Sequence, residues 1–188
     1  MKLANCISLT LLTVLLIPNM AHAHAGHAAG WEAGLLHPFT GLDHLSALIA
    51  VGIWAKQMGG RAVWCVPLAF ICVMALGGLL GIAAIPLHFI EGGMLASVLV
   101  LGALIASQAR YSLPVSMSLV SLFALFHGYA HGVEMPHNAS GFGYALGFML
   151  STAALHLTGI TIASALARSG LRILGMLIAL IGFAGFYA

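Results

Sequence analysis

From residue 34 onward, long apolar runs alternate with short polar interruptions. The interruptions KQMGGR, IPLH, ARYSLP, MPHNASG and RSGLR hold the breakers and most of the charges. Between them lie six apolar stretches, at roughly 34–55, 62–84, 88–108, 112–134, 141–166 and 170–187, each near the ~20 residues that carry a helix across hydrocarbon. The pattern predicts an all-α polytopic membrane protein: a bundle of six transmembrane helices filling residues 24–188, with no soluble domain or linker left over. A shorter apolar core, LTLLTVLLI, follows Lys2 and precedes Pro18 and the small-residue triplet Ala21-His22-Ala23. That arrangement predicts a signal peptide over residues 1–23, cleaved after Ala23.

Composition strengthens this reading. Charged residues make up 5% of the chain and hydrophobic ones 62%, where a soluble domain carries about a quarter charged residues. The six Lys and Arg are scattered singly, so nothing points to nucleic acid. With the mature N-terminus outside, the connections after the first, third and fifth spans face the cytoplasm. They carry Lys56, Arg61, Arg110, Arg168 and Arg172, every basic residue of the mature chain, as the positive-inside rule requires. Both termini of the mature chain are then expected on the outer side. The acids Glu32, Asp43, Glu91 and Glu134 gather at the opposite side from the bases, together with several of the histidines. The first three spans and the last three would have opposite orientation, which hints at an inverted repeat. Cys65 and Cys72 sit seven apart in one apolar run, about 10 Å along a helix and too far for a disulfide. They are expected to be small buried hydrophobes.

The fourth span carries the strongest local signal, FHGYAHGVE. His127 and His131 are four apart and Glu134 three further on, so all three share one helix face and adjacent pairs can share a cation. Imidazole with carboxylate suits a borderline divalent metal such as nickel, cobalt or zinc. The plainer alternative is a set of histidines hydrogen-bonded to neighbouring helices.

The first span opens with HPFTGLDH. On a straight helix His37 and His44 would lie about 10 Å apart along the axis. Pro38 disfavours helical geometry at His37, so His37 is expected on an irregular lead-in that can fold back towards Asp43 and His44. Asp43 and His44, being adjacent, point to different faces, which lets one bind metal while the other orients a ligand. A carboxylate within a span costs about 3 kcal/mol on insertion scales. No deep basic residue is available to neutralise Asp43, which leaves a histidine or a bound cation, or a role as proton relay. Secondary candidates are His88 with Glu91 as an entry pair, and His24 with His27 at the mature N-terminus. His156, alone in the fifth span, reads as a hydrogen-bonded core histidine.

His37, then Asp43-His44 after five intervening residues, together with Phe126-His127-Gly128-Tyr129-Ala130-His131-Gly132-Val133-Glu134, resembles the HupE/UreJ family of nickel and cobalt permeases. The resemblance covers essentially the whole chain. It implies uptake of Ni²⁺ or Co²⁺ from the periplasm across a bacterial inner membrane, supplying hydrogenase or urease maturation. It also implies that His37, Asp43, His44, His127, His131 and Glu134 matter for transport. The expected partners are the lipid bilayer and the divalent ion, which passes through as cargo, with no permanently bound cofactor. The chain has no P-loop, so facilitated diffusion rather than ATP-driven transport is expected, and no enzyme activity. The rival reading is an intramembrane zinc-dependent hydrolase, in which the same ligands would activate water.

Overall fold

The computed structural model describes residues 30–135 and 140–187. The expected signal peptide, His24, His27 and His137 lie outside the described residues. Among the described residues seven α-helices follow one another: α1 (Gly30–Leu36), α2 (Leu42–Met58), α3 (Ala62–Ile82), α4 (Ile90–Ser107), α5 (Leu113–Val133), α6 (Gly141–Ala165) and α7 (Arg168–Gly185). A 3₁₀ turn, His37–Phe39, joins α1 to α2, and no strand occurs among the described residues. Helices α3 to α7 are each long and apolar enough to cross a membrane.

The first apolar stretch, 34–55, is broken at His37, where Pro38 is expected to disturb helical geometry, and α2 begins only at Leu42. Pro38 has no N–H to continue the helical ladder, so α1 stops and the chain tightens. The backbone N–H of Thr40 and its hydroxyl both donate to the His37 carbonyl, at 3.0 and 2.8 Å. Gly41 is extended, with φ −124° and ψ 134°, and from there the chain restarts as α2. Alone, the 17 residues of α2 span about 25 Å. The break matters for function, because it turns the His37 ring back towards the head of α2.

Helices pair as α3 with α5, α4 with α7, and α2 with α6, while α1 also runs against α6. Numbered by apolar stretch, these are second with fourth, third with sixth, and first with fifth. Exchanging the two halves of the chain leaves all three pairings unchanged, the scheme of an inverted repeat. Glycine sits at each close approach. A Cβ on Gly128 would fall on the Met74 carbonyl and one on Gly77 on the Leu125 carbonyl, between α3 and α5. Gly52 and Gly159 do the same between α2 and α6, and Gly102 and Gly175 between α4 and α7. In lipid, helices gain little from hiding apolar surface, so close van der Waals packing between small residues has to hold them together.

Trp54, Phe70, Leu48, Ile53 and Met74 fill the centre of the bundle. The outside is apolar too: Trp64, Leu68, Leu76 and Leu79 of α3 and Ile173, Met176, Leu177 and Leu180 of α7 are exposed. Water would not tolerate such a continuous apolar surface, and lipid does. Cys72 belongs to this outer face, exposed rather than buried as expected, and Cys65 is half-buried. Seven residues advance a helix by almost two full turns, but spacing does not reveal which face of α3 meets the bundle.

Lys56, Arg61, Arg110, Arg168 and Arg172 are all exposed and gather at one end of the bundle. That end is tied by polar side chains reaching backbone: the Trp54 indole N–H donates to the Ala109 carbonyl at 3.0 Å, Gln57 to Ile105 at 3.3 Å, and Gln108 to Arg168 at 3.3 Å. The first turn of α2 and the end of α5 lie at the opposite, acidic end.

Gly128→Val should destabilise the purified protein by about 2–3 kcal/mol or more, because both walls of its contact are backbone. Gly78→Ala, whose Cβ would meet the Gly128 carbonyl at an ordinary 3.5 Å, should be close to neutral. Thermal unfolding in detergent, followed by size-exclusion profile, separates the two.

Candidate metal centre

Three segments converge at the acidic end. The last turns of α5 bring His127 and His131 into the bundle, 0% and 3% exposed, with exposed Glu134 as the residue that caps the helix. The first turn of α2 contributes Asp43 and His44, the latter 9% exposed. The 3₁₀ turn contributes His37, whose Nε2–H donates to Glu134 Oε2 at 3.0 Å. Ring centroids lie 4.6 Å apart for His37 and His131, 4.7 Å for His44 and His131, and 5.5 Å for His44 and His127. The His37 and His44 rings, which a straight helix would have kept apart, are 6.2 Å from each other.

The donor atoms fall into two groups that could each hold a metal ion. His44, His127 and His131 form one, and His37, His131 and Glu134 the other, with ligand atoms within 4.8 Å of one another in each. His131 belongs to both. The outer group is open to solvent through Glu134 and His37, and the inner one is closed. The pair of groups thus runs from an exposed mouth to a fully buried imidazole.

Protons decide which nitrogens can bind metal, and the neighbours set them. Asp43 Oδ1 lies 3.0 Å from His44 Nδ1 and, as a carboxylate, accepts. His44 Nδ1 therefore holds the proton and Nε2 keeps a lone pair. The Ser97 hydroxyl on α4 donates its single proton to the Met94 carbonyl at 2.6 Å, so its oxygen accepts from His127 Nε2–H at 2.8 Å. That leaves the lone pair of His127 on Nδ1. His44 Nε2, His127 Nδ1 and both nitrogens of His131 are buried with no hydrogen-bond partner among the described residues. Buried polar atoms are ordinarily satisfied, and three neighbouring rings with one lone pair each match the donor set of a cation site. Asp43 and Ser97 act as metal-site histidine partners do, setting tautomer and ring orientation from behind.

The hydrogen bond from His37 holds the Glu134 carboxyl below its usual range, against the opposing effect of partial burial. The contact is complete above the ordinary glutamate pKa and is lost only as pH falls through the lowered value. Aromatic rings close the sides: Phe148 packs against His131 at a tilt of 46° with centroids 3.7 Å apart, and Tyr144 stands 6.0 Å from His37. Beside His131 an apolar cleft of about 410 Å³ runs between α3, α5 and α6.

Of the sequence candidates, His37, His44, His127, His131 and Glu134 meet, and Asp43 stands behind His44. His88 and Glu91 do not join them. Phe89 takes a left-handed conformation at φ 60° and α4 begins only at Ile90, so His88 lies outside the helix, and both residues are exposed. His156 is buried, with Nδ1–H donating to the Leu48 carbonyl at 2.8 Å, a hydrogen-bonded core histidine as expected. Ser97 escaped the sequence reading. Its only signal is a lone hydroxyl inside the run MLASVLV, with nothing to indicate that His127 faces it.

A family model described as HupE / UreJ protein matches residues 11–185. Protein HupE of Rhizobium leguminosarum bv. viciae is 49% identical over 156 residues, which cover 82% of this chain and 82% of that protein. No solved structure matches. The match runs through every described helix and through both histidine segments, and the chain belongs to the HupE/UreJ family.

Proposed function

We propose that the protein is a permease that admits Ni²⁺ or Co²⁺ from the periplasm to the cytoplasm across the bacterial inner membrane. One observation carries this reading: two metal-competent groups that share His131 and lead from an exposed mouth into the bundle. Family membership supports a nickel- or cobalt-transport role for a multi-pass membrane protein. In this reading the broken first stretch joins α3 to α7 as a sixth span, and the end that carries the exposed bases faces the cytoplasm.

In this reading Glu134 and His37 receive the hydrated ion and exchange part of its water for nitrogen and oxygen. His131 then hands it to His44 and His127, since it is a member of both groups. Neutral imidazoles suit nickel and cobalt better than the hard cations that dominate outside the cell. They also hold the ion loosely enough to release it, as conduction requires. An inside-negative potential supplies about 4.6 kcal/mol per 100 mV to a divalent ion, twice the single-charge value. Facilitated diffusion therefore suffices, and the delivered metal serves hydrogenase or urease maturation.

Cells expressing the protein should accumulate nickel or cobalt over vector controls after low-micromolar exposure, measured as total cell metal. His131→Ala should bring accumulation down to the control level at matched membrane expression, because it removes a ligand from both groups. Metal held firmly without accumulation would instead favour the zinc hydrolase.

Ser97→Ala and Asp43→Asn leave every ligand in place and should weaken nickel binding by about 10–100-fold, read by titration of the purified protein. Uptake should fall severalfold between pH 7.5 and 5.5, because only deprotonated imidazole ligates. Glu134, held below the usual carboxylate range, stays ionised through that window. The decline is therefore expected to follow the imidazoles and not the carboxylate.

A further inference from the structure

The two ligand groups end at His127, well short of the basic end, while one more buried imidazole lies further along. His156 on α6 is 1% exposed. Its Nδ1–H donates to the Leu48 carbonyl at 2.8 Å, so Nε2 keeps the lone pair, and that atom has no partner among the described residues. Leu48 lies within α2, where its carbonyl already belongs to the helical ladder. The bond from His156 is an addition to that ladder, and a leucine at this position would avoid burying a bare nitrogen.

Position along the bundle gives the bare nitrogen a use. Leu48 is one helical turn beyond His44 on α2, and His156 is two turns beyond Phe148 on α6, about 12 Å further from the mouth. The Phe70 ring touches both imidazoles, with centroids 5.8 Å from His127 and 5.3 Å from His156. One turn from each of the two contacting residues, the Thr152 hydroxyl donates to the buried Met74 thioether at 3.7 Å. A neutral imidazole nitrogen is a borderline ligand that suits nickel or cobalt, and the thioether and hydroxyl one turn along add no charge that would retain them.

We infer that His156 is a second, deeper docking point, which takes the divalent cation at Nε2 after it leaves the His44–His127–His131 group. The inference rests on the transport reading above. A single imidazole binds weakly, which is what an intermediate stop needs if the ion is to move on.

Two variants separate this role from a structural one. His156→Gln keeps an N–H that can donate to the Leu48 carbonyl but loses the imidazole lone pair, and His156→Leu loses both. The protein is reconstituted in liposomes containing a nickel-quenched fluorophore. Equilibrium Ni²⁺ binding is measured in parallel on the purified protein. Both variants should admit Ni²⁺ at least about tenfold more slowly than wild type, while affinity at the outer groups stays within about threefold. Wild-type uptake by His156→Gln would make the residue a helix tie and overturn the inference alone. Joint loss of uptake and outer-site binding in His156→Gln would also overturn it, because the residue would then serve the fold. Wild-type liposomes that admit no nickel would overturn the transport reading, and this inference with it.

Discussion

An imidazole has two nitrogens and, when neutral, one proton, so an acceptor placed beside one nitrogen of a buried histidine fixes the other as the one that keeps its lone pair. The interior of this protein is organised around that constraint. Asp43 takes the proton side of His44, the Ser97 oxygen takes that of His127, and the Leu48 carbonyl takes that of His156. Three different acceptors thus leave three bare nitrogens facing the inside of an apolar bundle. His131 has no such partner on either nitrogen and is held by the Phe148 ring instead. It is the ring common to both ligand groups.

Membrane physics explains why so few residues do this work. Ionisable groups are costly within a span unless they meet a partner. The acids and bases accordingly sit at the two ends, and the depth of the bundle is left to imidazole, hydroxyl and thioether. Neutral ligands let a divalent ion enter without leaving an uncompensated charge behind when it goes. The glycines serve the same end by geometry. They bring α2 to α6 and α3 to α5 closely enough that side chains from four helices reach one line of rings.

The break at Pro38 links local chemistry to the site. A continuous first helix would have held His37 away from His44. The 3₁₀ turn and the extended Gly41 place it within reach of Glu134, His131 and His44. This break in the helical backbone lies at the mouth, where it lines a polar site rather than lipid.

Much of this was legible in the residues themselves. Runs of apolar side chains dictate membrane-length helices whatever their neighbours, because backbone polar groups in hydrocarbon must bond within the segment. Likewise, i and i+4 spacing dictates that His127 and His131 share a face, and proline must interrupt a helical ladder. These are short-range consequences, and they delivered five long helices, the ligand stripe on α5 and the bend at His37. Which helices pair, which face of α3 meets lipid and so exposes Cys72, and that Ser97 and Leu48 stand behind His127 and His156 were decided only by tertiary packing. The reason is distance along the chain. Those contacts join residues that lie 30 to 108 positions apart, and local spacing carries no record of what will arrive from that far away.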